Sequence, residues 1–140
     1  MERVTRGQVE AMFRKMCAAI GKEVSTGYDS NQMGNTGKAI GFKVGTWTLD
    51  YAACYGGYVV EEYDNSGGGV SRPMGETRHS ARTMWHILQA STYAAILTDP
   101  TSAELRLAAF YEAENEAYRK SKEYQDSLKA KDSVVKAMAL

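Results

Sequence analysis

The chain has 140 residues, with 17 Lys and Arg against 17 Asp and Glu, so its formal charge is zero. That length suits one domain with a real core and is short for two. Balanced charge argues against bulk nucleic-acid or anionic-membrane binding, both of which rest on a basic excess, and 44% hydrophobic with 24% charged residues is a globular composition.

Thr5 opens the first expected helix, with Gln8 completing a capping-box pattern. Val9, Met12, Phe13, Met16 and Ile20 then form one apolar stripe, and Gly21 suits the C′ position beyond it. Arg6, Arg14, Lys15 and Lys22 fall off the stripe and read as a solvated face. Residues 25–41 mix Ser, Thr, Gly, Asn and Asp, which reads as a loop.

From Phe42 the period changes to two. Trp47, Leu49 and Tyr51 face one way and Thr46, Thr48 and Asp50 the other. A Gly56-Gly57 link leads to a second strand, Tyr58–Tyr63. The turn from Asp64 to Gly69 precedes a short third strand, Val70–Arg72, stopped by Pro73. All 13 glycines lie at or before Gly75, so the second half can run as long helices. Ser80 is the N-cap of a helix carrying Met84, Ile87, Leu88, Ser91 and Ala95 on one side. Asp99-Pro100 stops it and starts the last helix. The expected fold is α+β: a helix, a small antiparallel meander, then two helices. It forms a single domain, with a body over 1–99 and a helical segment over 100–140.

Along the last helix Ala103, Leu107, Phe110, Glu114, Ala117, Ser121, Tyr124, Leu128, Lys131, Val135 and Met138 keep a 4-3-4-3 spacing, a heptad seam with three polar breaks. Running to the end, that helix would be roughly 60 Å long, against a diameter of roughly 37 Å for a compact domain of this size. It therefore either breaks near Lys131-Asp132-Ser133 or outruns its domain and pairs with another copy. Leu107, Phe110, Tyr124 and Leu128 are the expected interface residues of that homo-oligomer.

Catalytic and metal-binding chemistry find little footing. His79, His86, Cys17 and Cys54 show no recognised ligand spacing, so neither a metal nor a cofactor is expected. No Gly-x-Ser-x-Gly elbow occurs, and Cys17 reads as a small buried hydrophobe. Asp50 could meet Glu61 or Glu62 across the hairpin as a carboxylate pair, but spacing does not fix their separation. The longest uncharged stretch, 83–98, carries His86, Gln89, Ser91 and Thr92, so no membrane span is expected. The first residues carry no apolar h-region, and two cysteines make no disulfide framework; the expected location is the cytoplasm.

Anion binding has more behind it. Gly67, Gly68 and Gly69 can bring backbone N–H groups close to a ligand. Arg72, Arg78 and Arg82 follow, with Ser80 marking a helix N-terminus. Trp47, Tyr55 and Tyr58 offer faces on which a base could stack. Phosphates plus a stacked base describe a small nucleotide; a plain glycine turn with scattered ion pairs is the alternative.

The pattern Trp47-x-Leu49-Asp50-Tyr51, Tyr55-Gly56-Gly57-Tyr58, Gly67-Gly68-Gly69-Val70, Pro73-x-Gly75, Arg78 and Met84-Trp85 spans residues 42–90. It resembles a group of small phage-encoded proteins with a Leu-Asp-Tyr, a Tyr-Gly-Gly-Tyr and a Gly-rich turn before an amphipathic helix. The chain is similar to the anti-Thoeris sponge proteins, which sequester cyclic ADP-ribose signals and pair a small sheet with C-terminal helices. Their binding residues find no one-to-one match here, and none is carried over. The resemblance implies a non-enzymatic anti-defence protein that sequesters a phosphate-bearing nucleotide signal in the host cytoplasm. Two other readings stand beside it. One is a protein-binding inhibitor of the anti-CRISPR type, using the acidic stretch that holds Asp29, Asp50, Glu61, Glu62 and Asp64 against Lys38 and Lys43. The other is a phage structural or assembly protein.

Overall fold

A computed structural model describes residues 3–26 and 41–138; most of the expected loop at 25–41 lies outside them. The architecture is α+β as the periodicity implies: helix α1 (Arg6–Ile20), strands β1 (Trp47–Ala52), β2 (Gly57–Tyr63) and β3 (Val70–Ser71), then helices α2 (Ala81–Thr98) and α3 (Pro100–Met138). The chain divides into two units, Met1–Arg106 and Leu107–Leu140. That boundary falls seven residues beyond the expected body because Ala103 is fully buried and Arg106 reaches back to α1.

α1 starts where its capping box demands. The Thr5 side chain accepts from the Gln8 N–H, and the Gln8 side chain accepts from the Thr5 N–H. It ends at Gly21, whose φ of +79° is the left-handed cap that glycine adopts without strain. The last turn of α1 carries no basic residue of its own. Arg106 supplies one, donating Nε (3.2 Å) and Nη2 (2.8 Å) to the Ala19 carbonyl.

The three strands form an antiparallel sheet in the order β1-β2-β3. The register sets Trp47 opposite Glu62, Leu49 opposite Val60 and Tyr51 opposite Tyr58, so these six share a face. Against that face pack α1, through Val9, Phe13, Met16 and Cys17, and α2, through Met84 and Leu88. Cys17 is buried as its place beside the stripe suggests, and burial pushes its thiol up to about 12. On α2 the buried line runs Met84, Leu88, Thr92, not through Ser91. Thr92 is tolerated there because its Oγ1 donates to the Leu88 carbonyl at 2.8 Å.

β3 is two residues long, yet the chain returns to the same edge of β2 further on. Tyr58 and His79 form an isolated antiparallel bridge, N–H to carbonyl in both directions at 2.8 and 2.9 Å. Between these two anchors the 72–78 arm bulges away, turned by the bond from the Gly75 N–H to the Arg72 carbonyl. Asp99 both follows α2 and accepts from the Ser102 N–H, so one residue ends a helix and caps the next. α3 then runs without a break at 131–133.

Candidate functional site

The structure separates the residues that the sequence groups together. Gly67 and Gly69 both donate their N–H groups to the Asn65 Oδ1 at 3.0 Å, and the Gly68 N–H donates to the Asn65 carbonyl at 3.4 Å. This is an Asx-type closure in which the turn satisfies its own donors. A phosphate cradle there would have to displace Asn65 first. Trp47 is also committed: it is buried, its Nε1 donates to Glu62 at 2.8 Å, and the Lys22 ammonium lies over its ring. That indole bond, with Lys22 nearby, holds the Glu62 carboxyl below its usual range. Arg82 is exposed in the first turn of α2 and lines neither cleft described below.

Tyr55, Arg72 and Arg78 do meet. With Glu76 they line a cleft of ≈ 410 Å³ beside the tight link between β1 and β2. Tyr55 is 76% exposed there, its ring offered to solvent. Both guanidinium groups, however, face carboxylates. Arg72 donates to Glu76 (2.8 Å) and Glu61 (3.3 Å), bonds that hold its charge more firmly than usual. Arg78 is only 12% exposed, donating to Asp50 at 2.7 Å and to the Gly57 carbonyl at 3.0 Å. Asp50 and Glu61 lie on the face of the sheet opposite Trp47, and each is met by an arginine of the arm. They are salt-bridge partners of Arg78 and Arg72, diagonal to each other in the register, whereas Glu62 points to the other face, toward Trp47 and Lys22. The same pairings neutralise three of the carboxylates that make the 28–70 stretch acidic.

A larger cleft, ≈ 640 Å³, lies where α1 and α2 both begin. Arg3 and Arg6 enter it from the start of α1, Ser80 and Ala81 from the start of α2, and Tyr51 and Tyr58 form part of its wall. The two rings are 4.7 Å apart at their centroids, a consequence of their facing register, and the Arg6 guanidinium sits 5.6 Å over Tyr51. Neither helix has an acidic residue in its first turn to offset the partial positive charge of the aligned peptides. What converges is thus Arg3, Arg6 with its Nε donating to Glu10 at 2.9 Å, two positively poled helix starts, and an aromatic pair of which Tyr51 is exposed and Tyr58 buried.

Of the nine expected ligand residues, only Tyr58 belongs to this larger cleft. Arg3 and Arg6 are the additions. In the sequence Arg6 reads as a solvated charge, and its side chain is indeed 68% exposed and paired with Glu10 one turn on; its place beside Tyr51 is what the sequence does not show. Nothing in local spacing signals that the Tyr58–His79 bridge carries the start of α2 to the start of α1. Among the described residues no group of three or more His, Cys, Asp and Glu side chains is placed to hold a metal ion, and no helix is long and apolar enough to cross a membrane. No protein-family model, curated protein or solved structure matches the chain.

Proposed function

We propose that this protein is a non-enzymatic binder that captures a small phosphate-bearing nucleotide, acting in the cytoplasm as a sequestering anti-defence protein of the kind its 42–90 pattern resembles. The observation that carries the reading is the cleft at the two helix starts. Phosphate oxygens would find Arg3, Arg6 drawn from its exposed pair with Glu10, and the two helix starts there, and a base would find the exposed Tyr51 ring, with the buried Tyr58 ring behind it. It is favoured over the Tyr55 cleft because the Arg6–Glu10 pair, with side chains 68% and 45% exposed, costs a ligand less to displace than Arg78, which is 12% exposed and bonded to both Asp50 and the Gly57 carbonyl. Both cysteines are free thiols, which suits a reducing compartment.

Calorimetric titration with a panel of cyclic nucleotides and ADP-ribose derivatives tests this. One ligand is expected to bind and to be recovered unchanged. Arg6→Ala should weaken it by about one to two decades, the loss of one charge-assisted contact. Silence from the whole panel, with tight binding to a host defence protein instead, would transfer the case to the inhibitor reading. Recovery of an altered ligand would mean that the protein is an enzyme.

A further inference from the structure

Every described residue from Tyr111 to Met138 is exposed, yet the heptad seam runs through this stretch. Leu128 and Val135 are 46% and 63% exposed on it, and Tyr124 is exposed beside them, whereas Phe110 is half-buried and Leu107 buried in the single chain. A seam of this kind is completed by a second helix. Its two charged positions, Glu114 and Lys131, decide which helix and in which direction.

A parallel, in-register pair of these helices would set Glu114 against Glu114 and Lys131 against Lys131, two like-charge contacts inside the seam. Antiparallel pairing about a two-fold axis between Lys122 and Glu123 does the opposite. Glu114 then faces Lys131 at both ends, Phe110 faces Val135, Ala117 faces Leu128, and Ser121 faces Tyr124. Small residues oppose large ones, and charge opposes its complement. The flanking positions bring Tyr118 beside Gln125 and Lys120 beside Ser127, so no like charges meet there either. Sliding one heptad in one direction sets Glu114 against Tyr124 and Lys131 against Leu107; the other direction sets them against Met138 and Ser121. Among these seam-to-seam registers one alone pairs both charges.

We infer that residues 110–138 are a homodimerisation helix that pairs antiparallel with the same segment of a second copy, its register fixed by two symmetry-related Glu114–Lys131 ion pairs. The interface is isologous, as a closed dimer requires. The charged pair sets direction and register, while the apolar positions supply the drive. This holds whatever the clefts bind.

Charge reversal in the full chain tests the arrangement by sedimentation equilibrium. The unmodified protein should be dimeric at roughly tens of micromolar, where a specific interface persists. Glu114→Lys and Lys131→Glu, each alone, should weaken the dimer about tenfold or more by creating like-charge contacts. The double variant Glu114→Lys/Lys131→Glu should regain the original affinity. A monomeric unmodified chain would overturn the proposal, as would single reversals without effect, the outcome a parallel dimer gives. Failure of the double variant to recover would overturn it too.

Discussion

Replacing Arg78 by alanine separates a structural arginine from a ligand-binding one. The side chain is 12% exposed and makes two bonds, one to the Asp50 carboxylate and one to the Gly57 carbonyl, joining the 72–78 arm to both β1 and β2. A hydrogen bond to a charged group is worth about 1.5–3 kcal/mol. Asp50 is 42% exposed, so water recovers part of that loss after truncation. Together the two bonds give an expected destabilisation of about 2 kcal/mol for Arg78→Ala. With a urea m-value of about 1–3 kcal/mol/M, the unfolding midpoint should fall by roughly 1 M. Arg78→Lys keeps a charge near Asp50 but loses the two-pronged geometry, and should recover about half of the difference. Urea denaturation followed by far-UV circular dichroism reads all three proteins. A midpoint unchanged by Arg78→Ala, with nucleotide affinity lost, would refute the structural reading and return Arg78 to the ligand site.

Three more outcomes follow from the sheet and the turn that leads into it. Gly57 has φ +117°, and a Cβ there would collide with the His79 carbonyl, so Gly57→Ala should cost about 2–4 kcal/mol; Gly45→Ala, at φ +86° with open space around it, should cost only about 1 kcal/mol of backbone strain in the same denaturation assay. Glu62 has a folded pKa below its ordinary value, chiefly because the Trp47 indole donates to its ionised form, so its contribution is complete above the unfolded pKa and is lost as pH falls through the folded one. The stability gap between the unmodified protein and Glu62→Gln should therefore be widest near neutrality and should close as pH drops through and below the usual glutamate range; a gap independent of pH would sink the argument.

The elements that local chemistry specifies were legible from the residues. Thr5 and Gln8 announce α1, the alternation from Trp47 to Tyr63 announces the hairpin, and Asp99-Pro100 marks the junction of α2 and α3. The α1 stripe likewise names its core, and Cys17 joins it by burial. What could not be read are the destinations of polar groups over long separations. Arg72 and Arg78 look like an anion cluster until the register places Glu61 and Asp50 beneath them. The three glycines look like open donors because Asn65, the residue that takes their N–H groups, is only another turn former in the sequence. The larger cleft depends on one isolated bridge between Tyr58 and His79, formed by backbone groups that every residue type carries.

The bond from Arg106 to the Ala19 carbonyl spans 87 residues, and it sets a condition on biosynthesis. A chain made from its N-terminus can form α1 and the hairpin early, since both rest on near neighbours. The C-terminal end of α1 must then wait, its carbonyl held by water, until the start of α3 has been synthesised. Released chains ending just short of residue 106 would carry the whole sheet and both of its covering helices, yet lack the bond that satisfies the end of α1. Arg106 is also the last residue of the first unit, so that unit can lock only after its final residue has emerged.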